Sequence, residues 1–374
     1  MIGDATLRKT GVALLASRLC VLGDDPCGGS EVVLWEDVRI LESAGIPVRV
    51  YAHAARNGAP VSIIPFRTRT AQLNTIEYAR ALLRREPAAL ILAYNEPALA
   101  GWAADRSIVR FDWATPLPRY WRWPIWLSRF ERARYLFPSE SERQTFLEKH
   151  ARISSRQTTV ISNAVDLELF QPAKQAPPRG SNGSLRVGFA GQWIARKGLD
   201  VLLKAWVTLK STVPSCELYL AGGPSLWKNV SGVAGAQELT ARVRHMEQHG
   251  SVHYVGELRR SAMPAFWNSV DVAVVPSLYE PFGLVALEAM SCGVPVIAAA
   301  VGGLRTIIVD GESGLVIPPG DAAALTQALS LLVADESLRR RLAEGARMRA
   351  AEFSLPRRSR ELLGLLLNRA DKAA

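Results

Sequence analysis

Cysteine and histidine are scarce in this chain of 374 residues. The four cysteines (Cys20, Cys27, Cys216, Cys292) lie far apart with no CxxC pair, and none of the five histidines shares a metal-ligand spacing with another histidine or a cysteine. That scarcity implies neither a disulfide framework nor a zinc site, and it fits a reducing, cytoplasmic setting. No apolar run reaches the roughly 18 residues needed to cross a bilayer as a helix. The opening stretch, MIGDATLRKTGVALLASRLC, is basic and then apolar, but Arg18 cuts the apolar part short and no small-residue cleavage site follows. It is expected to form a first buried strand rather than a signal peptide. With 48% hydrophobic and 21% charged residues, the composition excludes a disordered, collagenous or coiled-coil protein and suits a soluble one with full cores.

What is present in excess is positive charge: 45 Lys and Arg against 35 Asp and Glu, a net +10. Such a balance favours anionic partners, whether a phosphorylated ligand, nucleic acid or an acidic membrane surface. Short β-branched or apolar runs alternate with longer helical stretches, the pattern of parallel sheets with crossover helices. In the first half the strand candidates are residues 11–17, 48–52, 62–65, 89–93 and 135–138, with helices at 31–44 and 140–149. The segment QPAKQAPPRGSNGS (171–184) reads as a linker, being rich in Pro, Gly, Ser and Asn. After it the alternation restarts, with strands at 185–190, 217–221, 252–255, 272–276 and 294–298 and helices at 199–210, 236–248, 263–268 and 284–291. The expected architecture is α/β: two doubly wound, Rossmann-like domains facing a cleft suited to a bipartite ligand. Their expected limits are 1–175 and 176–355, with a final segment, 356–374.

The most informative segment is DVAVVPSLYEPFGLVALEAMSCGVPVIAA (271–299), a strand, loop, helix and strand that carries Glu280 in the loop, Gly283 at the helix start and Glu288 inside the helix. Glu288, five residues past Gly283, lies about 7–8 Å along the helix axis, a separation similar to the span of a diphosphate. The amides of Phe282, Gly283, Leu284 and Val285 open a helix N-terminus, a favourable place for phosphate. Carboxylates accept well from sugar diols, so one could hold a ribose and the other a hexose. The plain alternative is that Glu280 is a solvated loop acid and Glu288 lies on an exposed helix face. In GFAGQWIARKGLDVLLKAW (188–206), Arg196 and Lys197 stand just before a helix, and Lys197 is the first choice to stabilise a departing phosphate. A solvated basic turn is the alternative. In CGGSE (27–31), the glycine pair before a helix could bring amides to a diphosphate, whereas Asp24 and Asp25 lack a third ligand and read as loop solvation.

Together these segments resemble the retaining nucleotide-sugar glycosyltransferases of family 4, which have the GT-B fold. GGSE corresponds to the family's first-domain glycine loop, ISNAVDLELF (161–170) to the end of that domain, and ARKGLDVLLKA to its KG-containing helix start. LYLAGG (218–223) and VHYVGEL (252–258) correspond to two strands, and EPFGLVALE (280–288) to the E-x7-E signature, followed by AVGGLRTIIVDGESGLVIPPGD. The resemblance implies that Glu280 and the Phe282–Val285 amides hold the donor hexose and phosphate, and that Glu288 holds the ribose. It assigns the diphosphate to Lys197 with Gly28 and Gly29, and the base to backbone near Tyr254–Gly256. It also implies that the last helix, 353–369, returns to pack on the first domain through Leu362, Leu363, Leu366 and Leu367.

Two positions depart from the family pattern. Gln192 stands where the family has an arginine, and Arg196 is the candidate to compensate. In VRFDWATPL, Asp112 or Trp113 stands near the family's histidine slot, with Asp112 as a candidate helper to the acceptor. The implied reaction is a metal-independent, retaining hexosyl transfer in polysaccharide or glycoconjugate biosynthesis. The acceptor hydroxyl attacks from the front face, and Lys197 stabilises the leaving diphosphate. No cofactor is expected beyond the donor co-substrate, a UDP or GDP sugar; the acceptor is a glycan, a lipid-linked saccharide or a small molecule.

Five of the ten tryptophans fall between Trp102 and Trp126, and RYWRWPIWLSRFERAR (119–134) interleaves them with arginines. This stretch could line an acceptor cleft, lie on an anionic membrane surface, stack single-stranded nucleic acid, or pack on its own domain. The acceptor and membrane readings are favoured, which makes the expected location cytoplasmic or peripheral on the inner face of the cell membrane, with no nucleic-acid partner. The alternatives at the level of function are a nucleotide-sugar epimerase or phosphorylase on the same fold, or a non-catalytic binder of anions or nucleic acid.

Overall fold

The computed structural model describes residues 2–16, 21–22, 28–52, 54–55, 63–65, 82–87, 89–96, 103, 105–112, 130–174, 185–223, 236–248, 250 and 252–373. The chain forms two compact units, Met1–Asn163 with Pro356–Ala374, and Ala164–Leu355. The division thus falls at Asn163/Ala164, ahead of the linker-like stretch at 171–184. Each unit is built on its own parallel sheet.

In the first unit, strands β1 (Val12–Leu15), β3 (Val48–Ala52), β5 (Ile63–Pro65), β6 (Leu90–Tyr94), β7 (Ser107–Arg110), β8 (Arg134–Phe137) and β9 (Thr158–Val160) pair in the order β5-β3-β1-β6-β7-β8-β9. Two short strands, β2 (Val21–Leu22) and β4 (Ala54–Ala55), pair separately. Helices α1 (Ile2–Thr10), α2 (Gly29–Ser43) and α3 (Glu140–Lys149) belong to this unit. The opening stretch therefore differs from the expectation of one strand: residues 2–10 are helical, and only Val12–Leu15 is strand. The break is Gly11, at φ +73°, where a Cβ would lie 2.5 Å from the Pro47 carbonyl oxygen.

In the second unit, β10 (Arg186–Ala190), β11 (Glu217–Ala221), β12 (Val252–Gly256), β13 (Val272–Val275), β14 (Val296–Ala299) and β15 (Gly314–Ile317) pair in the order β12-β11-β10-β13-β14-β15. Helices α4 (Leu199–Thr212), α5 (Ala236–Gln248), α6 (Met263–Asn268), α7 (Leu284–Ser291), α8 (Leu304–Ile307), α9 (Ala322–Ala334) and α10 (Glu336–Ala351) accompany them. Both faces of the sheet are covered, because alternate residues of a strand enter different cores. Val272 and Val274 pack with Trp206 and Leu220 on one side, Ala273 and Val275 with Trp267 and Met290 on the other. Asp321 and Asp335 start α9 and α10 by accepting from the amides of Ala324 and Leu338, at 2.9 and 2.8 Å. The strand order is that of the doubly wound dinucleotide-binding sheet, with its switch point between β10 and β13. The Val165 amide donates to the Phe353 carbonyl at 2.9 Å, tying the two ends of this unit together.

The last helix, α11 (Leu355–Ala373), belongs to the first unit from Pro356 onward. Arg358, Leu362, Leu366 and Ala370, spaced four apart, form its buried stripe, with Leu363 and Leu367 only half-buried. Arg358 makes a two-oxygen fork with Asp37 of α2, Nε and Nη2 to Oδ1 at 2.9 and 2.6 Å and Nη2 to Oδ2 at 2.8 Å, while Nη1 donates to the Ser162 carbonyl at 2.9 Å. The Tyr94 hydroxyl donates to Asp37 Oδ2 at 2.6 Å. Burial, and then the Asp37 charge, push that hydroxyl well above its ordinary pKa, so it stays a donor. None of the described helices is long and apolar enough to cross a membrane.

Both charges of the Arg358–Asp37 pair are at most 1% exposed, so removing one strands the other. Arg358→Met should lower the stability of the first unit by about 3–5 kcal/mol, whereas Arg358→Met with Asp37→Leu should lose less than the two single variants summed. Calorimetric melting of the three variants checks this.

Candidate functional site

The switch point brings together two loops that are far apart in sequence. After β10 the chain runs through a 3-10 turn, Ala195–Lys197, into α4; after β13 it runs through residues 276–283 into α7. The backbones interlock: the Arg196 carbonyl accepts from the amides of Leu278 and Tyr279 at 2.8 and 3.3 Å. Gly198 sits at φ +70°, where a Cβ would lie only 1.9 Å from the Pro276 carbonyl oxygen. Any other residue at Gly198 would drive the loops apart.

Held this way, Lys197 Nζ lies 2.6 Å from Glu280 Oε2, with side chains 18% and 11% exposed. The buried Ser277 hydroxyl donates to the same oxygen at 3.3 Å. The alternative of a solvated loop acid at Glu280 is therefore wrong. A second glycine crossing holds the other side of the loop, where the Gly303 amide donates to the Glu280 carbonyl at 3.0 Å. At Gly302, φ +47°, a Cβ would lie 1.9 Å from that same carbonyl oxygen.

Helix α7 starts at Gly283, φ 112°. Its first carbonyl-directed bonds come from Ala286 and Leu287 to the Gly283 oxygen, so the amides of Gly283, Leu284 and Val285 precede the intrahelical ladder. Phe282 is buried against Phe353, which anchors the loop ahead of the helix. Glu288 is buried, not on an exposed helix face. Burial pushes its carboxyl up to about 7, and the Arg260 guanidinium and the nearby Trp267 indole N–H pull the other way. The Trp267 N–H is itself buried without a well-formed hydrogen bond. One turn along α7, the Cys292 thiol is pushed up to about 12 by burial and then by Glu288, which leaves it unreactive at neutral pH.

On the far side of β10, the carboxyl ends of β11 and β12 are joined to it by glycines. The Gly191 amide donates to the Ala221 carbonyl at 3.1 Å, and the Gly222 amide to the Gly256 carbonyl at 2.8 Å. Tyr254, 37% exposed, tilts against buried Trp193 with ring centroids 4.9 Å apart. Tyr254 and Gly256 lie on β12, two strands across from β10 in the order β12-β11-β10.

The remaining expected residues lie in the first unit. Gly28 caps α2 and Gly29 opens it; a Cβ at Gly28 would meet nothing within 4 Å. Asp112 is 9% exposed and fully engaged: Arg110 Nε donates to its Oδ1 at 2.7 Å, Asn95 Nδ2 donates to its Oδ2 at 3.3 Å, and its own amide donates to Asn95 Oδ1 at 2.9 Å. Arg110, wholly buried, also donates to Asn163 Oδ1. Asp24, Asp25, Cys27, Trp102, Trp113, Trp121, Trp123, Trp126, Arg119, Arg122 and Arg129 lie outside the described residues. Sequence reasoning missed Ser277, Trp193, Arg260 and Trp267. Ser277 left one signal, its place three residues before Glu280; the others have no motif of their own. Among the described residues no group of three or more His, Cys, Asp or Glu side chains is placed to hold a metal ion.

Two units, each built on its own parallel sheet with flanking helices, make up the GT-B fold of glycosyltransferases. Residues 172–349 match the family described as Glycosyl transferases group 1. Among curated relatives, the D-inositol 3-phosphate glycosyltransferase of Kribbella flavida is 27% identical over 94% of this chain and 93% of its own length. The one from Stackebrandtia nassauensis is 36% identical over 57% of this chain and 49% of its own length. The match spans about half the length of most such relatives. Solved structures with the same fold include sucrose-phosphate synthase from Thermosynechococcus elongatus, with TM-score 0.75, 23% identity and 95% and 98% of the two chains covered. Another is Anabaena Alr3699/HepE in complex with UDP and glucose, with TM-score 0.73, 19% identity and 95% and 98% covered.

The raised carboxyl of Glu288 has a sign that can be checked. Its ordinary value is 4.5 and its folded value about 7, so its favourable contribution to folding is present below about 4.5 and is lost as pH rises to about 7. At pH 8 ionised Glu288 costs the unliganded chain up to about 3 kcal/mol. Glu288→Gln should therefore flatten the fall in melting temperature between pH 5 and pH 8 and stabilise the protein at the alkaline end.

Proposed function

We propose that the chain is a retaining hexosyltransferase that moves a hexose from a nucleoside-diphosphate sugar, carrying UDP or GDP, to an acceptor hydroxyl without a metal ion. The observation that carries this is the meeting of Lys197 and Glu280 at the switch point, beside the N-terminus of α7. In this reading Lys197, Arg196 and the Phe282–Val285 amides receive the diphosphate. Glu280 accepts from hexose hydroxyls, Glu288 from the ribose diol, and the base lies near Tyr254–Gly256.

The acceptor oxygen bonds to the anomeric carbon on the face from which the diphosphate departs, the bond from that carbon to the phosphate oxygen breaks, and the departing phosphate takes the acceptor's proton. Positive charge at Lys197 and the helix amides counts most when negative charge grows on the leaving oxygen. Asp112, ion-paired with Arg110, would act on the acceptor by orientation. The names of the curated relatives and the net charge of +10 both favour a small phosphorylated polyol as acceptor, with a glycan or lipid-linked saccharide as the wider class. An anionic membrane as a docking surface rests on the Arg/Trp composition of residues 119–134.

A thermal-shift panel of UDP-, GDP- and ADP-sugars is the direct test, since a true donor stabilises the folded chain by about 2.7 kcal/mol at one hundred times its Kd. Transfer to an added polyol phosphate, or slow donor hydrolysis, should persist in excess EDTA. Loss of activity on chelation with recovery on adding magnesium would overturn the metal-free route. Glu288→Ala should weaken donor binding, whereas Lys197→Ala should lower kcat more than it raises KM.

A further inference from the structure

We propose that Ser277 is a positioning residue that holds Glu280 in place while Lys197 changes partner, from the Glu280 carboxylate in the unliganded chain to the diphosphate of the donor. This rests on the donor-site reading above and divides that site into a moving part and a fixed part.

The moving part is the lysine ammonium. The backbone on both sides of Lys197 is fixed to the loop that carries Ser277 and Glu280, through the Arg196 carbonyl on one side and the Gly198–Pro276 approach on the other. Its flexible four-carbon stem lets Nζ swing by several ångströms from that fixed root. In the unliganded chain the carboxylate holds Nζ at 2.6 Å. A diphosphate arriving at the start of α7 brings more negative charge and more acceptor oxygens than one carboxylate, and it takes the ammonium.

The fixed part is Glu280. Once Lys197 leaves, its carboxylate, only 11% exposed, has lost its cation, and an uncompensated buried charge tends to turn towards water. The Ser277 hydroxyl, on a residue 1% exposed, donates to Oε2, the same oxygen that Lys197 holds, and stays behind when Lys197 moves. Oε2 remains anchored and Oε1 stays presented to a hexose hydroxyl. Two donors on one oxygen, one on a mobile stem and one on a short buried side chain, allow the acid to keep its geometry through the exchange.

The experiment separates the nucleotide from the sugar. Wild type, Ser277→Ala, Ser277→Thr, Glu280→Gln and Ser277→Ala with Glu280→Gln are compared as full chains. The probes are UDP, GDP and ADP, and their conjugates UDP-glucose, GDP-mannose and ADP-glucose. Ser277→Ala should bind the bare diphosphate within about twofold of wild type and lose about tenfold in kcat/KM with the conjugate, the worth of a hydrogen bond to a charged group. Ser277→Thr, which keeps the hydroxyl, should recover most of that loss. The double variant should be no worse than Glu280→Gln alone, because both changes act through one carboxylate. If Ser277→Ala does not fold, Ser277→Cys, similar in size with a weaker donor, is read in the same way. Unchanged kinetics in Ser277→Ala, equal losses for diphosphate and conjugate, or losses that add in the double variant overturn the role of Ser277. A wild-type chain that binds none of the three diphosphates overturns the donor reading on which it rests.

Discussion

The carboxyl edge of the second sheet depends on backbones passing closer together than a Cβ permits. Gly198 against the Pro276 carbonyl, Gly302 against the Glu280 carbonyl and Gly222 against the Gly191 carbonyl would each place a Cβ within 2.0 Å of the oxygen they face. These crossings bring the loops after β10, β13 and β14 into one layer. A substituted residue at any of them would separate Lys197 from Glu280 before it changed any chemistry. Glycine loses more conformational freedom on folding than any other residue, and here that cost is offset by the convergence it allows.

Charge burial follows two different rules in the two units. In the first, Asp37, Arg358 and Tyr94 form a closed set in which every carboxylate oxygen has a donor, and this joins the last helix to α2 within one unit. Such a set fixes architecture. In the second, Lys197 and Glu280 pair with side chains 18% and 11% exposed, and Glu288 is buried near Arg260 and Trp267, its carboxyl raised to about 7 by burial. At Glu288 burial disfavours the charged form more than Arg260 and Trp267 favour it.

Much of the second unit was legible in the sequence. Short apolar runs of β-branched residues ending at Gly or Pro located β10, β11, β12 and β13 closely, because strands buried on both faces leave a continuous hydrophobic signature. The first unit was less legible. Its opening residues form a helix before the strand; among the described side chains of that helix only Leu7 is buried, and its charged neighbours imitate a basic leader. The strands β7 and β9 are four and three residues long and neither is bounded by a Gly or Pro that would mark its end. The unit boundary was misplaced towards the Pro/Gly/Ser-rich stretch because composition marks a flexible segment, whereas the true division at Asn163/Ala164 is set by which core each side chain enters.

By itself the sequence pointed to the glycosyltransferase resemblance and the α/β class and singled out Lys197, Glu280 and Glu288 as candidates, because motif spacing and hydrophobic period are local properties. Tertiary structure alone decided that Lys197 and Glu280 form an ion pair, that Ser277 shares the same carboxylate oxygen, that Glu288 is buried beside Trp267 and Arg260, and that Asp112 is held by Arg110 and Asn95. Lys197 and Glu280 lie 83 positions apart, and Asp37 and Arg358 lie 321 apart. No spacing rule reaches that far, since the meeting is set by strand order at the sheet's switch point and by which glycines let the loops approach.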